Sequence, residues 1–375
     1  MSVTVLELPR QRRTAKTAFQ LALFDGGDLA QCNWPAIADS RDLAMYVFQS
    51  REFLETWTRT IGKANGITSY LLVVRTSAGE PVLYLPLAIE TQFNIRLLRF
   101  MDCGVADYNA PILKAGVALS PPEFTALWAE ALTLLPPFDV IDLKKIAADV
   151  AGAANPLLGL GCTPHGEDGH WLLLDKTGAT GGGASAGQQR KLDREYRKLG
   201  ELGAVEFIVN PDGDQAAAIT EKLFALKRRK YTQTQIADFL AMPGVADFYR
   251  GVLGSGIGHQ SALLVGNTVV SAHLGYAGRG RFYYILPAYD PAYARYRPGH
   301  LLLRKLIDLS AQHGDAAFDF GSGDEAYKQS WADRRLPLYD YQQAMTAAGT
   351  VYLQMRRLRR LVKNSGVRSW FRTGG

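Results

Sequence analysis

The residues best suited to chemistry lie in one run near the end of the sequence, between Phe318 and Trp331. Its polar, aromatic and glycine positions are Asp319, Gly321, Gly323, Glu325, Tyr327, Lys328 and Trp331. A carboxylate that ends a buried-looking strand, followed by a phenol and an ammonium, supplies groups that can move protons and hold anions. The glycines allow a ligand to approach the backbone. The run predicts a functional site, although Asp319 could also cap a turn and Trp331 could belong to the core.

The segment before this run has the pattern of an anion-binding site. A strand at 281–286 leads into a loop that contains Arg295, Arg297 and Gly299, and a helix starts near His300 and Leu301. Free backbone N–H groups and the positive end of the helix dipole meet at such a helix start. Pro298 offers no amide there, so the two arginines would supply charge that the backbone lacks.

The elements that must position these residues occur twice along the chain. The first half predicts strands at 70–76 and 82–89, a helix at 124–135 and a strand at 140–143. The second half predicts strands at 261–265 and 268–276 around a Gly266–Asn267 turn, a helix at 300–313 and a strand at 317–320. The repeated order predicts two related units of α/β (α+β) class side by side.

Composition divides the chain into five segments. Residues 178–187 are half glycine and predict a linker without the ending of a nucleotide-binding P-loop. The other predicted segments are an irregular extension at 1–40, the first unit at 41–177, the second unit at 188–346 and a basic tail at 347–375. Two charged helices, at 188–203 and 221–231, are either solvated faces or the frame of a cleft for an anionic ligand.

The net charge of +6 belongs to the tail. No Asp or Glu follows Asp340, whereas seven Lys and Arg residues do, so the body is close to neutral and is not predicted to bind DNA. Val351, Met355, Leu358 and Val362 align on one helical face. Such a basic amphipathic helix suits an anionic inner-membrane surface, an acidic partner or docking on the body.

Other classes are disfavoured by simple patterns. Cys32, Cys103 and Cys162 match no metal or redox spacing, and His165 and His170 beside acidic residues lack a metal-site periodicity, so no metal is expected. No apolar run approaches the ~20 residues that span a bilayer, and no secretory pattern opens the chain. We therefore expect a cytoplasmic protein, with peripheral membrane contact through the tail as a further prediction.

Several motifs together resemble the GNAT acyltransferases of the CelD-like type, which are associated with cellulose and exopolysaccharide synthesis. They include the Pro298–Gly299 loop and the Phe-Asp-Phe-Gly-x-Gly-x-x-x-Tyr-Lys-x-x-Trp run from Phe318. In the first half, Phe53 and Trp57, the strand at 84–87, and Asp107 with Tyr108 resemble earlier family motifs. The run from Asp319 to Lys328 is also similar to a motif of Fem-type aminoacyltransferases. The resemblance covers about residues 45–345 and implies two tandem GNAT-like units, each a mixed twisted sheet flanked by helices.

The resemblance implies direct transfer of an acyl group from a CoA thioester, with acetyl-CoA preferred, to an amine or hydroxyl of a saccharide or lipid-linked sugar precursor. In that reading Asp319 is either the base or a carboxylate that orients the acceptor, Glu325 assists it and Tyr327 is the acid. The predicted donor-binding residues are Arg295, Arg297, Gly299, His300 and Leu301. The predicted acceptor-binding residues are Lys328, Trp331, Tyr284, Asp107 and Tyr108. His273 is either a further base or a packed core residue.

Two alternatives remain open. A Fem-type enzyme would take its group from aminoacyl-tRNA, with the charged helix at 188–203 as an RNA-contacting arm. A non-catalytic member of a polysaccharide-synthesis assembly would use the basic tail to dock. The usual GNAT pyrophosphate loop keeps only its central glycine here, at Gly299, which leaves the nature of the donor to be tested.

Overall fold

The chain forms a mixed α/β structure with two sheets flanked by helices, which confirms the predicted fold class. The computed structural model describes residues 10–13, 19–25, 29, 31–38, 42–117, 119–174, 185–323 and 325–364. Most of the predicted linker, residues 178–184, and the end of the predicted tail, residues 365–375, lie outside them. Among the described residues, no helix is both long and apolar enough to cross a bilayer.

The strands and helices are numbered along the chain. The strands are β1 (Arg10–Arg13), β2 (Phe19–Asp25), β3 (Leu43–Ala44), β4 (Thr68–Thr76), β5 (Pro81–Gln92), β6 (Ile95–Phe100), β7 (Ile112–Lys114), β8 (Val140–Ala147), β9 (Asp149–Val150), β10 (Ala153–Ala154), β11 (Thr163–Pro164), β12 (Gly169–Leu173), β13 (Val205–Val209), β14 (Gly258–Val265), β15 (Thr268–Gly278), β16 (Arg281–Tyr289), β17 (Ala317–Ser322), β18 (Arg334–Leu336) and β19 (Leu338–Ala344). The α-helices are α1 (Arg51–Trp57), α2 (Pro121–Leu134), α3 (Ala186–Gly200), α4 (Gly213–Thr234), α5 (Val245–Leu253), α6 (Pro298–Gln312), α7 (Ala326–Trp331) and α8 (Ala347–Asn364).

The two sheets repeat one arrangement. The first has the order β1-β2-β4-β5-β6-β8-β19-β11, with β7 also paired to β5 and to β3, and the second has the order β13-β14-β15-β16-β17-β12-β18. In each, one parallel pair is connected through a helix: β6 and β8 across α2, and β16 and β17 across α6. The repeated strand, hairpin, helix and strand order predicted from the sequence is therefore present in both halves.

Each sheet contains one strand from the other half of the chain. β12 precedes the second unit in sequence but pairs with β17 and β18, while β19 ends the second unit and pairs with β8. The predicted boundaries at 177 and 188 follow chain order, whereas the sheets exchange strands across them. Neither half can separate from the other without breaking strand pairing.

Local sequence explains where the important elements begin and turn. The Gly266–Asn267 pair joins β14 to β15 with Val265 opposite Thr268, as the hairpin pattern predicts. Ser120 and Glu123 form a reciprocal capping box at the start of α2. α6 begins at Pro298 directly after Arg297, whose φ of 54° turns the chain into the helix.

Apolar side chains from both halves share one core. Phe48 packs edge-to-face against Tyr283 with ring centroids 5.4 Å apart, and Phe53 does so against Phe248 at 5.0 Å. A second cluster lies between α6 and the second sheet and includes Leu302, Leu306 and Phe318. The first contact set fixes the two sheets against each other, and the second fixes the helix whose start faces the predicted donor site.

The structure differs from the sequence-based expectation in two elements. The extension at 1–40 was expected to be irregular, but Phe19–Asp25 forms β2 and pairs antiparallel with β4. Leu21, Ala22 and Leu23 are all buried, so this short strand lacks the alternation of apolar and polar residues that would predict it. The predicted helix at 221–231 is the middle of the longer α4.

Candidate active site

The second sheet opens between β16 and β17. The two strands pair in parallel only over Arg281–Tyr283 and Ala317–Asp319. Beyond Tyr283, β16 continues to Tyr289 with its pairing to β15 alone, while β17 continues against β12. Within the described residues, the outer edge of β16 therefore has unpaired backbone groups, which an extended ligand can use as it would a strand partner.

A cleft of about 290 Å³ occupies this opening. It lies between the end of β16, the start of α6, α7 and the side of α4. Its lining residues are Lys230, Tyr284, Pro287, Ala288, Tyr289, Ala294, Arg297, Pro298, Gly299, His300, Leu303 and Tyr327. The predicted donor residues Arg297, Gly299 and His300 and the predicted site residues Tyr284 and Tyr327 thus meet around one cavity.

The start of α6 presents few free amides. The amides of His300 and Leu301 both donate to the Arg297 carbonyl, at 3.0 and 3.1 Å, and Pro298 has none. Of the first four residues of the helix, Gly299 is therefore the one whose amide is free to bind an anion. The charge at this end of the cleft comes instead from the side chains of Arg297 and Lys230.

Two of the predicted donor residues lie outside the cleft lining. Arg295 donates to the Tyr296 hydroxyl at 2.5 Å and covers the face of that ring. The Leu301 side chain is buried in the core under α6. Their assignment as donor contacts stays a prediction, with Arg295 placed to stiffen the loop and Leu301 to anchor the helix.

Asp319 holds the two halves of the molecule together. Its carboxylate accepts hydrogen bonds from the Tyr108 hydroxyl, from Arg281 at 2.8 Å and from the Gly321 amide at 2.9 Å. The Tyr108 ring is itself packed against Tyr46 and Phe48. Three hydrogen bonds, one of them from a guanidinium, already occupy the oxygens of this carboxylate and fix its orientation. Of the two roles predicted for Asp319, this arrangement suits the orienting carboxylate better than the base.

Asp107 is the carboxyl group in the right state to take a proton. It accepts from the Ser322 hydroxyl at 3.2 Å, and its Oδ2 lies so close to Gly321 that a side chain at that position would collide with it. Burial raises the pKa of Asp107 to about 6, against the lowering effect of the Lys145 and Lys328 charges. Gly321 has a φ of 72°, so the chain there needs glycine on both counts. Sequence reasoning placed Asp107 in the site through the family resemblance, but as an acceptor-binding residue.

Lys328 and Glu325 bind each other beside Asp107. The buried Lys328 ammonium donates to the Ser322 carbonyl and lies 2.8 Å from Glu325 Oε2. Burial raises the pKa of Glu325, but the hydrogen bond and charge of Lys328 outweigh it, so the pKa ends below its usual value. Both groups therefore hold the turn after β17 in shape, and Glu325 is less suited than Asp107 to accept a proton.

Lys227 is a site residue that sequence reasoning did not single out. It lies on α4, one turn before Lys230, and its ammonium makes no hydrogen bond or ion pair with other described residues. Burial, followed by the charge of Lys230, lowers its pKa to about 8, while Glu325 and Asp107 oppose that shift. The basic run of α4 was the available signal, since it predicted the frame of a cleft; Lys230 of this run lines the cleft, whereas Lys227 does not. The charges of Glu325 and Asp107 act on the Lys227 ammonium, which therefore lies in the neighbourhood of both carboxylates.

The aromatic wall of the cleft is built on a buried histidine. The Tyr284 ring stacks on His273 at 4.5 Å and meets Tyr327 edge-on at 6.5 Å. His273 Nε2 accepts from the Ile285 amide, and burial holds the pKa of this histidine well below its usual value. Of the two roles predicted for His273, a further base or a packed core residue, this environment fits the packed core residue. Burial also raises the pKa of Tyr327 well above its usual value, so its phenol keeps its proton.

Trp331 departs from its predicted role. Its side chain is fully buried in the second core cluster, which leaves no ring face for a sugar to stack on. Among the described residues, no group of three or more His, Cys, Asp or Glu is arranged to hold a metal ion. His165 instead bonds Asp340 at 2.7 Å, and burial raises the pKa of the Cys103 thiol to about 12.

This chain is similar to a known sequence family and to several solved structures. Residues 186–329 match the sequence profile of the acetyltransferase (GNAT) domain. Among solved structures, FemX is 11% identical and aligns over 79% of this chain and 92% of its own, with a TM-score of 0.55. A tandem GNAT protein from the clavulanic acid biosynthesis pathway is 12% identical, over 86% and 98%, with a TM-score of 0.48. The C-terminal domain of a putative lysylphosphatidylglycerol synthetase from Agrobacterium fabrum is 12% identical, over 82% and 91%, with a TM-score of 0.48. No curated protein matches this chain.

The profile match and the opened sheet support an acyltransferase built on a GNAT domain, and GNAT domains use acyl-CoA. The prediction of tandem GNAT-like units is confirmed by the two sheets and their shared order. The likeness to FemX shows the fold. The CelD-like type stays a prediction.

Proposed function

We propose that this protein transfers an acyl group, with acetyl preferred, from a CoA thioester to an amine or hydroxyl of a saccharide or lipid-linked sugar precursor in exopolysaccharide synthesis. The observation that carries the proposal is the cleft between β16 and β17. It combines an open strand edge for the pantetheine arm with Arg297, Lys230 and the Gly299 amide at its mouth for the diphosphate. The acceptor class rests on the resemblance seen in the sequence.

The chemistry in this proposal needs one base and one acid. Asp107 takes a proton from the acceptor amine or hydroxyl, whose lone pair attacks the thioester carbonyl carbon and forms the new C–N or C–O bond. The tetrahedral intermediate then expels the thiolate as the C–S bond breaks. Tyr327, which keeps its proton at neutral pH, supplies it to the sulfur. No bond to the protein forms, so the reaction is a direct transfer.

The acceptor subsite lies beside the base in this proposal. Lys227 is the cation that remains without a hydrogen-bonding partner among the described residues near Asp107, and a buried ammonium gains most from an anionic ligand. A phosphate on the sugar acceptor would give it that partner. Lys328, bound to the Ser322 carbonyl and to Glu325, holds the end of β17 beside Asp107, which positions the base against the bound acceptor.

Isothermal calorimetry tests the donor. The titrants are acetyl-CoA, longer acyl-CoAs and free CoA, each with the full chain. We expect acetyl-CoA and CoA to bind with dissociation constants within about threefold of each other, because both carry the diphosphate and pantetheine that make most of the contacts. Absence of binding for every titrant contradicts the proposal and favours a different donor.

Replacing Lys227 tests the acceptor subsite. With acetyl-CoA as donor, we expect Lys227→Met to raise KM for glucosamine 6-phosphate about tenfold relative to KM for glucosamine, the loss of one charge-assisted hydrogen bond. The Kd for CoA should stay within twofold. Thiol release is the readout, and Lys191→Met on the exposed face of α3 is the matched control. Equal losses for both sugars place Lys227 outside phosphate recognition.

One observation favours a second donor, the aminoacyl-tRNA of Fem-type enzymes. At the start of α6 the Gly299 amide is free to bind an anion. A CoA diphosphate would gain from several free amides at this position. An RNA-dependent enzyme would not need them, and α3 offers exposed cations. In that case the observed association constant for tRNA should fall steeply with salt, by about 10³-fold between 50 and 200 mM, and CoA should not compete.

A further inference from the structure

The C-terminal helix turns its apolar side away from the body. On one side, Gly349 is packed so closely on Asp139 that a side chain would strike the Asp139 carbonyl, and Arg356 binds the buried Asp142 at 2.8 Å. At 100° per residue, Val351, Met355 and Leu358 fall on the opposite side. They are 55%, 50% and 61% exposed. An amphipathic helix that docks on a body buries this stripe, whereas α8 leaves it open.

A hairpin of the first sheet extends the apolar surface. Phe93 lies at the β5–β6 turn and is 86% exposed, with φ values of 51° at Phe93 and 60° at Asn94. An aromatic residue is rare in this left-handed backbone region, and it directs the ring into solvent. Phe93 and Ile95 line an open groove of about 490 Å³ together with Val351, Met355 and other α8 residues. The hairpin tip and the helix stripe therefore form one surface, which we call the apolar ledge.

Unpaired positive charge surrounds the ledge. Arg357 and Arg359 are exposed and make no ion pair with other described residues, and no Asp or Glu follows Asp340 in the sequence. A second copy docked about a twofold axis would place these arginines against their own counterparts. The terminal segment at 365–375 carries Arg368 and Arg372 and no acid, so it cannot neutralise them either. An exposed apolar stripe flanked by cations matches the interface of an anionic lipid bilayer.

We propose that the apolar ledge and its flanking arginines bind the surface of an anionic lipid bilayer. Phe93, Val351, Met355 and Leu358 enter the acyl boundary, and Arg357 and Arg359 face the headgroups. This inference stands apart from acyl transfer, since neither α8 nor the β5–β6 turn lines the cleft. It assigns a use to the part of the basic tail that the structure describes.

Vesicle sedimentation of the full chain tests the proposal. We expect binding to phosphatidylcholine vesicles with 30% phosphatidylglycerol at least ~10-fold stronger than to pure phosphatidylcholine, and weakened by 0.5 M NaCl. Leu358→Asp should reduce binding about tenfold or more, and so should the double variant Arg357→Gln/Arg359→Gln. Ile236→Asp is the matched control, because Ile236 is also 61% exposed but lies in the second unit. It should change binding less than twofold.

Phe93→Ser provides a second test on a separate element. Each of the substituted positions is exposed, so circular dichroism should show that every variant keeps the fold. We expect Phe93→Ser to weaken binding several-fold. Failure of the wild-type chain to bind anionic vesicles overturns the proposal. So does unchanged binding by Leu358→Asp, or a dimer in light scattering that Leu358→Asp dissociates, since a second copy would then cover the ledge.

Discussion

Asp107→Asn is expected to lower kcat/KM by about 10²–10³-fold while leaving the Kd for CoA within twofold. The amide keeps the size of the carboxylate and can still accept from Ser322, but it cannot take a proton from the acceptor. Donor binding is spared because Asp107 lies outside the lining of the donor cleft. Thiol release measures the rate, and calorimetry with CoA measures donor binding.

The pH profile identifies the base. Asp107, with a pKa of about 6, must be deprotonated to act, so the wild-type rate should fall as the pH drops below about 6. Lys227, with a pKa of about 8, is charged below that value, so acceptor binding should weaken as the pH rises above it. The profile should be bell-shaped between these limits. Asp107→Asn should remove the acidic limb, and Lys227→Met the alkaline one.

Stability supplies the control against misfolding. Because folding raises the pKa of Asp107, this carboxyl stabilises the protein fully only below its unfolded pKa near 3.8, and that stabilisation is lost as the pH rises through about 6. Asp107→Asn should therefore raise the free energy of unfolding at pH 8 by about 3 kcal/mol. Asp319→Asn should lower it, because it disturbs the pairing with Arg281. An Asp107→Asn enzyme that is active, or inactive and less stable, contradicts the assignment.

Much of this fold could be predicted from local patterns. The Gly266–Asn267 hairpin, the apolar face of α6 and the strand that ends in Asp319 each follow from period and turn chemistry, which act over a few residues. The exchange of β12 and β19 could not be predicted in this way. Which sheet a short strand joins depends on pairing across more than a hundred residues, as between Asp142 and Gln342. The periodicity of the sequence carries no information about such long-range strand pairing.

The site shows the same division. The sequence brings Arg297, Gly299, Tyr284 and Tyr327 together because the strand, loop and helix that hold them are adjacent in the chain. It cannot distinguish Asp319 from Asp107, since the difference lies in their surroundings. Asp319 accepts from a guanidinium and a phenol of distant segments, whereas Asp107 meets one hydroxyl in a buried place. The same holds for Lys227 against its neighbours on α4.

Gly299→Asp is expected to weaken CoA binding by about 100-fold or more. Gly299 is the second residue of α6 and carries the amide that remains free at the mouth of the cleft. An aspartate there would place a negative charge against the donor diphosphate, between Arg297 and His300. Its Cβ would also stand 3.2 Å from the Tyr289 ring, which must shift. Calorimetry with CoA gives the dissociation constant.

Two controls separate the possible causes of such a loss. Gly187→Asp changes the same helix position of α3, where the added Cβ would make only an ordinary contact, 3.9 Å from the Ser185 hydroxyl, and a carboxylate in the first turn favours the helix dipole. It should leave CoA binding unchanged and the fold at least as stable. Gly299→Ala adds the steric contact without the charge and should weaken CoA binding only a few-fold. If Gly299→Asp binds CoA as well as the wild type does, the diphosphate lies elsewhere, and the opening between β16 and β17 is not the donor site.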